Sequence, residues 1–252
     1  MAKIIAVANQ KGGVGNTTTC VNLSAALNQL GKRVLLVDGD PQGNASTGMG
    51  VAKSTRPNTY DMLINEATAA ECVVHTENGD VIPASKELAA ASVELIGAQA
   101  REYVMKNALM TLYSEYDYIF IDCPPSLELL TVNALVAADS VLIPMQCEYY
   151  ALEGIADLVT SIKMCKKRLN KRLEVEGIVL TMYDARANLT SQVAAELRKY
   201  LEGKVYDTVI PRSIRLSEAP SHGLPGIVYD KFNKGSRAYM ELAREFIERN
   251  EN

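Results

Sequence analysis

The sequence IIAVANQKGGVGNTTT at residues 4–19 joins an apolar run to a glycine-rich loop and then to the start of a helical pattern. This order is typical of a phosphate-binding loop, because glycines let backbone N–H groups turn inward and a helix N-terminus adds partial positive charge. The general pattern GxxxxGK[ST] is broken twice, by Gln10 at its first glycine and by Asn16 at its lysine. The stretch therefore predicts a phosphate site that lacks its usual cation.

Further apolar runs rich in Val and Ile include VLLVD at 34–38, YIFID at 118–122 and SVLIP at 140–144. Continuous runs of this kind are typical of parallel strands that are covered on both faces. We predict strands at 4–9, 34–38, 81–83, 118–122, 141–144, 177–181 and 208–210, and helices at 17–30, 101–114, 127–138, 151–169, 189–201 and 236–248. This alternation predicts an α/β fold, a doubly wound, mostly parallel sheet with helices on both faces, in a single domain over residues 1–252.

The composition is that of an ordinary folded protein, with 48% apolar and 22% charged residues. No apolar run approaches the roughly 18 residues of a membrane span, and we expect no signal peptide at the N-terminus. Five cysteines are spread along the chain without a CxxC pair. This pattern disfavours a disulfide framework or a zinc site and favours a reducing cytoplasm.

Charge is distributed unevenly along the chain. The net charge is −4, but residues 163–215 hold twelve Lys and Arg against six Asp and Glu. Within them, residues 163–172 contain six basic residues and no acid. This run is either a solvated helix end, whose cations suit the helix dipole, or part of a surface that binds a polyanion.

Four more segments accompany the loop: VLLVDGDPQGNAS at 34–46, YIFIDCPPS at 118–126, PMQCEYYALEG at 144–154 and IPRSIRLSEAPSHG at 210–223. Together with ANQKGGVGxTTT they resemble the ParA/Soj family of chromosome and plasmid partitioning ATPases. That family has a deviant Walker A loop, in which the first glycine is absent and an extra lysine stands early. Lys11 occupies this signature position, whereas Asn16 replaces the second lysine of the family's loop.

Three side chains at the predicted site carry oxygen atoms suited to Mg²⁺. Thr17 stands at the start of the helix, where its hydroxyl can bind the ion. Asp38 and Asp122 each end an apolar strand, and the carboxyl edge of a parallel sheet is where ligands bind. Asp122 matches the Walker B aspartate of the family, which holds Mg²⁺ through water, and Asp38 is expected to orient the water around the ion.

The resemblance also implies which residues bind ATP or ADP. The loop residues expected to contact the nucleotide are Lys11, Gly12, Gly13, Val14, Gly15, Asn16, Thr17 and Thr18. Adenine is expected to pack near Met182 and Pro211. In the family the aspartate at the position of Asp40 positions or activates the attacking water. Lys11 is expected to reach across the interface of an ATP-dependent homodimer to the nucleotide of the other subunit.

Asn16 is expected to impair hydrolysis. Its amide is uncharged and ends about two bonds nearer the backbone than a lysine ammonium. Loss of one transition-state donor typically costs about 10²–10³ in rate. Two explanations stay open at this point: a single change in an otherwise intact ATPase, or a natural relative that does not hydrolyse ATP.

DNA is the second expected partner. Arg186 and Arg215 match positions that bind DNA in Soj-like relatives, and no helix-turn-helix or zinc-finger signature is present. Contacts are therefore expected with phosphates and without sequence preference. The resemblance further implies a ParB/Spo0J-like partner protein, no membrane binding, and a cytoplasmic, nucleoid-associated location.

Two functions of other classes compete with partitioning. A MinD-like membrane-surface ATPase would need a basic amphipathic tail, but residues 235–252 hold three Arg and four Glu. A metabolic P-loop enzyme is the other alternative, either a ligase like dethiobiotin synthetase or a reductase like the nitrogenase iron protein. The reductase needs cysteines that bind an iron–sulfur cluster, and the positions of Cys123 and Cys147 give it little support.

Overall fold

A seven-stranded sheet forms the centre of the computed structural model, which describes residues 1–148 and 151–251 and all their side chains except those of 151–153. The strands are β1 (Lys3–Val7), β2 (Val34–Asp38), β3 (Val74–Thr76), β4 (Gly79–Ile82), β5 (Tyr118–Asp122), β6 (Ser140–Gln146) and β7 (Glu174–Thr181). Their spatial order is β3-β4-β2-β5-β1-β6-β7. All neighbours pair in parallel except β3, which runs antiparallel to β4 at the edge.

Helices cover both faces of the sheet. They are α1 (Asn16–Gln29), α2 (Asn44–Gly48), α3 (Thr59–Leu63), α4 (Leu88–Glu94), α5 (Val104–Leu109), α6 (Leu129–Ala137), α7 (Ala151–Arg168), α8 (Asn188–Tyr200), α9 (Ile214–Glu218), α10 (Gly226–Tyr229) and α11 (Lys234–Glu251). None of the described helices has the length and apolarity needed to span a bilayer.

The two faces of the sheet have separate apolar cores, because successive side chains of a strand point to opposite sides. In β1, Ile4 packs in the core under α3 to α8, whereas Ile5 packs in the core under α1 and α11. Both residues are fully buried, and all five positions of β2 and of β5 are buried. The predicted doubly wound, mostly parallel α/β fold is confirmed.

Two predicted elements are wrong, and one strand was not predicted. Residues 208–210 form no strand; this segment follows β7 only through isolated contacts, such as the backbone N–H of Ile210 donating to Leu180. The helix predicted at 101–114 is broken into a 3₁₀ turn, α5 and a second 3₁₀ turn. The buried amide of Asn133 accounts for the break, because it accepts from the N–H of Met105 and donates to the carbonyl of Arg101. The short edge strand β3 had no apolar run to reveal it.

The turn between α7 and β7 is joined to the end of α6 by one buried side chain. The Asn170 amide nitrogen lies 3.0, 3.2 and 2.7 Å from the carbonyl oxygens of Leu135, Val136 and Ala138. The last carbonyls of a helix have no partner within the helix and need an external donor when they are buried. Asn170 therefore caps α6 from a distant part of the chain and holds the two helices together.

We predict that Asn170→Ala lowers the free energy of unfolding by about 2–3 kcal/mol, because it leaves buried carbonyls without their donor. Urea denaturation followed by circular dichroism measures this loss. Lys171→Ala removes an exposed side chain from the same turn and serves as the control, with an expected change below about 0.5 kcal/mol. Equal losses in the two variants would contradict the capping role.

Candidate nucleotide-binding site

The glycine-rich loop, residues 8–15, connects the end of β1 to the start of α1. Gly13 and Gly15 have φ of 75° and 97°, in the left-handed region that favours glycine. Gly15 directly precedes α1, whose first-turn N–H groups have no intrahelical partner. Gly12 and Gly13 are exposed, and Val14 is buried beneath them. The predicted strand, loop and helix are therefore present, and the helix N-terminus opens at the carboxyl edge of the sheet.

The ends of β6 and β7 hold the loop in this shape. The Thr181 hydroxyl donates to the carbonyl of Val14 at 2.6 Å, and the Gln146 amide donates to the carbonyl of Gly13 at 2.9 Å. The Asn9 amide reaches the carbonyl of Pro144 at 2.8 Å from the other side. Loop conformation thus depends on strands that are more than 130 residues away in sequence.

Asp38 and Asp122 lie side by side, because β2 and β5 pair in parallel with these two residues in register. Both are completely buried. Asp38 has partners for both oxygens: Oδ2 accepts from the Ser46 amide at 2.7 Å and from its hydroxyl at 2.6 Å, and Oδ1 accepts from the Asp40 amide at 3.2 Å. Burial raises the pKa of Asp38 to about 6, while the bonds from Ser46 oppose the rise.

Asp122 lacks hydrogen bonds of the kind that Asp38 receives. Among the described residues, neither of its buried oxygens has a hydrogen-bond partner. Burial, followed by repulsion from Asp38, raises the pKa of Asp122 well above its ordinary value. The side chains of Thr17 and Cys20 lie beside it and oppose part of this rise. A bare, buried carboxylate next to a hydroxyl, at the N-terminus of a helix, fits Mg²⁺, which takes one or two carboxylates and completes its shell with phosphates and water.

The other predicted loop residues are grouped at the same edge. Asp40 is buried and accepts a hydrogen bond from the backbone N–H of Gln42 at 2.9 Å. Thr17 and Thr18 are half-buried in the first turn of α1. Asn16 is half-buried as well, and its Oδ1 has no partner among the described residues. The position of the missing lysine therefore carries a short side chain whose polar atom is itself unsatisfied.

Lys11 extends from the exposed side of the loop. Its side chain is 57% exposed, and its ammonium forms an ion pair with Glu148, which is 50% exposed and follows β6. Residues 149 and 150, part of the PMQCEYYALEG segment, lie outside the described residues. Sequence reasoning did not single out Glu148, Ser46 or Gln146, because nothing in their local pattern shows which distant group they contact.

Of the two predicted adenine neighbours, Met182 lies close to the phosphate loop, and Pro211 lies beside the residue that follows Met182. The Gln146 amide that binds the loop also lies 3.0 Å from Met182 Sδ. Met182 has a positive φ of 48°, and the next residue, Tyr183, forms a bridge with Pro211. A cleft of about 1150 Å³ begins at this bridge and extends towards α11.

We call this cleft the basic cleft. Its lining includes four cations from three separate segments of the chain: Arg186, Arg212, Lys234 and Arg237. Arg186 is 90% exposed and holds Asp184 through two 2.9 Å hydrogen bonds, which lower the pKa of that carboxyl to about 2. The lining of the cleft includes neither Arg215, which pairs with Glu218, nor any part of residues 163–172. The predicted pair Arg186 and Arg215 is therefore not brought together in one cleft.

Comparisons with known proteins found relatives over nearly the whole chain. A family model described as an AAA domain matches residues 2–175. The sporulation initiation inhibitor protein Soj of Bacillus subtilis is 55% identical over 248 residues, which cover 97% of this chain and 98% of that protein. The chromosome partitioning protein ParA of Caulobacter vibrioides is 50% identical over 252 residues, which cover 98% and 94%.

Two solved structures that contain a bound nucleotide have the same fold as this chain. Cobyrinic acid a,c-diamide synthase of Mycobacterium smegmatis with bound ADP and magnesium has a TM-score of 0.85 at 35% identity, over 97% of this chain and 93% of that chain. The septum site-determining protein MinD of Pyrococcus horikoshii, complexed with Mg-ADP, has a TM-score of 0.81 at 27% identity, over 97% and 96%.

The sequence identities distinguish the partitioning function from the two alternative functions. The Soj and ParA relatives are 50–55% identical to this chain, whereas the MinD structure and the metabolic synthase reach 27% and 35%. The partitioning interpretation is thus favoured over a MinD-like or a metabolic one. The chain belongs to the ParA/Soj family of chromosome-partitioning ATPases.

Proposed function

We propose that this chain is a nucleotide-dependent switch in chromosome or plasmid partitioning, in the cytoplasm and on the nucleoid. It binds ATP or ADP with Mg²⁺ and forms a homodimer when ATP is bound. The dimer holds DNA without sequence preference and responds to a ParB/Spo0J-like partner. The observation that carries the proposal is the bare, buried carboxylate of Asp122 beside the helix that follows the phosphate loop.

Each side chain at the site has a separate role in this proposal. Asp122 and the Thr17 hydroxyl hold Mg²⁺, which neutralises charge on the β- and γ-phosphates of a bound nucleotide. Asp38 stays fixed by Ser46 and orients the water around the ion. Backbone N–H groups of residues 12–16 bind phosphate oxygens at the start of α1. Asp40 orients the attacking water.

Asn16 separates binding from hydrolysis. A lysine here would supply a cation to the phosphates as negative charge develops on them in the transition state. Asn16 offers an uncharged amide, and its Oδ1 stays unsatisfied in the structure. Nucleotide binding depends on backbone groups and on Asp122, so it survives, whereas turnover is low.

The proposed DNA contacts come from the basic cleft and from Arg215, which lies outside the lining of that cleft. Arg212, Lys234 and Arg237 form no ion pair within residues 1–148 and 151–251, so their charge is available to phosphates. Arg186 and Arg215 are paired with acids and would exchange those partners for phosphates. One cleft on an acidic protein binds DNA weakly, and an ATP-dependent dimer doubles the number of phosphate contacts.

The first functional prediction concerns turnover. Asn16→Lys restores the missing cation and is expected to raise the kcat of Mg²⁺-dependent ATP hydrolysis at least about tenfold. Phosphate release measured at saturating ATP gives the rate. Asn16→Gln lengthens the side chain without adding charge and is expected to stay near the parent. Equal rates in the parent and Asn16→Lys would show that Asn16 is not the defect.

The second functional prediction is a change in thermal stability when the carboxylate of Asp122 is removed. Because burial raises its pKa in the folded state, the ionised carboxylate costs stability at high pH, and this cost disappears as the pH falls below the pKa of the unfolded chain. Asp122→Asn is therefore expected to raise the Tm of the metal-free protein at pH 8 but not near pH 4. The same variant should lose the Mg²⁺ dependence of nucleotide binding.

Asp117→Asn is the matched control. The Arg33 guanidinium beside Asp117 lowers the pKa of that carboxyl, so its loss should lower the Tm at pH 8 or leave it unchanged. Differential scanning fluorimetry at the two pH values measures both variants. A fall in Tm at pH 8 for Asp122→Asn would mean that the carboxylate has a stabilising partner and is not bare.

The third concerns DNA. Joint replacement of Arg186 and Arg215 by Glu is expected to abolish DNA binding and to leave nucleotide binding intact. Binding by the parent should weaken steeply with salt, because counterion release drives it. Gel-shift titrations at two salt concentrations, with and without ATP, measure both effects.

Joint replacement of Lys32 and Arg33 by Glu provides the control for this experiment. These two cations are also paired with acids, but they precede β2 at the opposite edge of the sheet. DNA affinity should not change in this variant. A similar loss in both double variants would assign the effect to net charge, and selective binding to one DNA sequence would exclude the phosphate-only mode.

A further inference from the structure

Residues 144–148, at the end of β6 and just after it, contact the phosphate loop in three places. Gln146, the last residue of β6, donates its amide to the carbonyl of Gly13 at 2.9 Å. Glu148 pairs with the ammonium of Lys11, the signature lysine. The Asn9 amide reaches the carbonyl of Pro144 in the same segment. One short stretch of chain therefore holds both the backbone of the loop and its exposed cation.

The Lys11–Glu148 pair differs from the other contacts in this stretch. The amide contacts of Asn9 and Gln146 engage backbone carbonyls and define the shape of the loop, whereas the ion pair joins two side chains that are both at least half exposed. Exposed ion pairs contribute little to folding. Within the part of the chain that the structure describes, Lys11 and Glu148 have no other ion-pair partner.

We propose that Glu148 is a latch that holds the Lys11 ammonium against its own chain and competes with the nucleotide phosphates of a second copy. This inference rests on the proposed function, in which Lys11 reaches the nucleotide of its dimer partner. In the monomer the ammonium binds a carboxylate oxygen of Glu148. In the dimer it binds a phosphate oxygen, and Glu148 is left in solvent. Two latches open when one two-fold dimer forms.

The expected effect follows from the exposure of the pair. One exposed ion pair changes an equilibrium constant by up to about fivefold, and salt screens it. Because two pairs open per dimer, Glu148→Gln should lower the dimer dissociation constant by about 2- to 25-fold. The gain should shrink in high salt, where the latch of the parent is already weak.

The first test measures the latch without nucleotide. Lysines are acetylated under limiting reagent, and modification of each is followed by peptide mass spectrometry, with the exposed Lys171 as internal reference. Glu148→Gln should raise the rate at Lys11 several-fold. Glu174→Gln is the matched control, because it opens the exposed pair of Lys166 with Glu174 instead. It should raise the rate at Lys166 alone, and an unchanged rate at Lys11 in Glu148→Gln overturns the latch.

The second test measures dimerisation by sedimentation velocity with ATP and Mg²⁺. The background is Asn16→Lys with Asp40→Ala, which is expected to bind ATP without hydrolysing it. Adding Glu148→Gln should tighten the dimer as stated, and adding Glu174→Gln should not. An unchanged or weaker dimer with Glu148→Gln overturns the latch. If the background itself fails to dimerise, the proposed function is wrong, and acetylation of Lys11 alone decides whether Glu148 restrains it.

Discussion

The parallel register of β2 and β5 places two carboxylates, Asp38 and Asp122, side by side in a fully buried position. Two neighbouring carboxylates cannot both be ionised there without compensation. The fold compensates Asp38 through Ser46 and the backbone of Asp40, and leaves Asp122 with no partner among the described residues. This asymmetry leaves an electrostatic cost at Asp122 that the cation proposed to bind there would remove. The phosphate loop and the first turn of α1 lie at the same edge of the sheet.

The phosphate loop depends on the sheet more than its own sequence suggests. Glycines permit its turns, but the side chains of Gln146 and Thr181, from the last two strands along the chain, bind its carbonyls. With the carbonyls of Gly13 and Val14 engaged by these side chains, the N–H groups at the start of α1 are left for a ligand. The same arrangement explains why Glu148 lies close enough to pair with Lys11. Loop geometry and cation position are thus two results of one packing arrangement.

The fold, and not the overall composition, decides where the positive charges of this protein cluster. The chain is acidic overall, with a net charge of −4, yet the basic cleft collects cations from around residues 186, 212 and 234–237. Acids lie among them, and Asp184 already occupies Arg186. A surface with mixed charge makes fewer net attractive contacts with a polyanion, and for this reason the proposed DNA binding depends on a second copy. The dense basic run at 163–172 lies outside the cleft, where its cations suit the C-terminal end of α7.

Local sequence determined the alternation of strand and helix, the phosphate loop and the carboxylates that end β2 and β5, because apolar periodicity and glycine placement act over a few residues. It did not predict β3, the break at 101–114 or the irregular course of 208–210, where Asn133 and contacts with β7 override local preference. Nor did it reveal that Ser46 binds Asp38, that Glu148 pairs with Lys11, or that Arg212 and Arg237 line one cleft. Which side chains meet across more than 100 residues depends on strand order and register, and only the tertiary structure decides those.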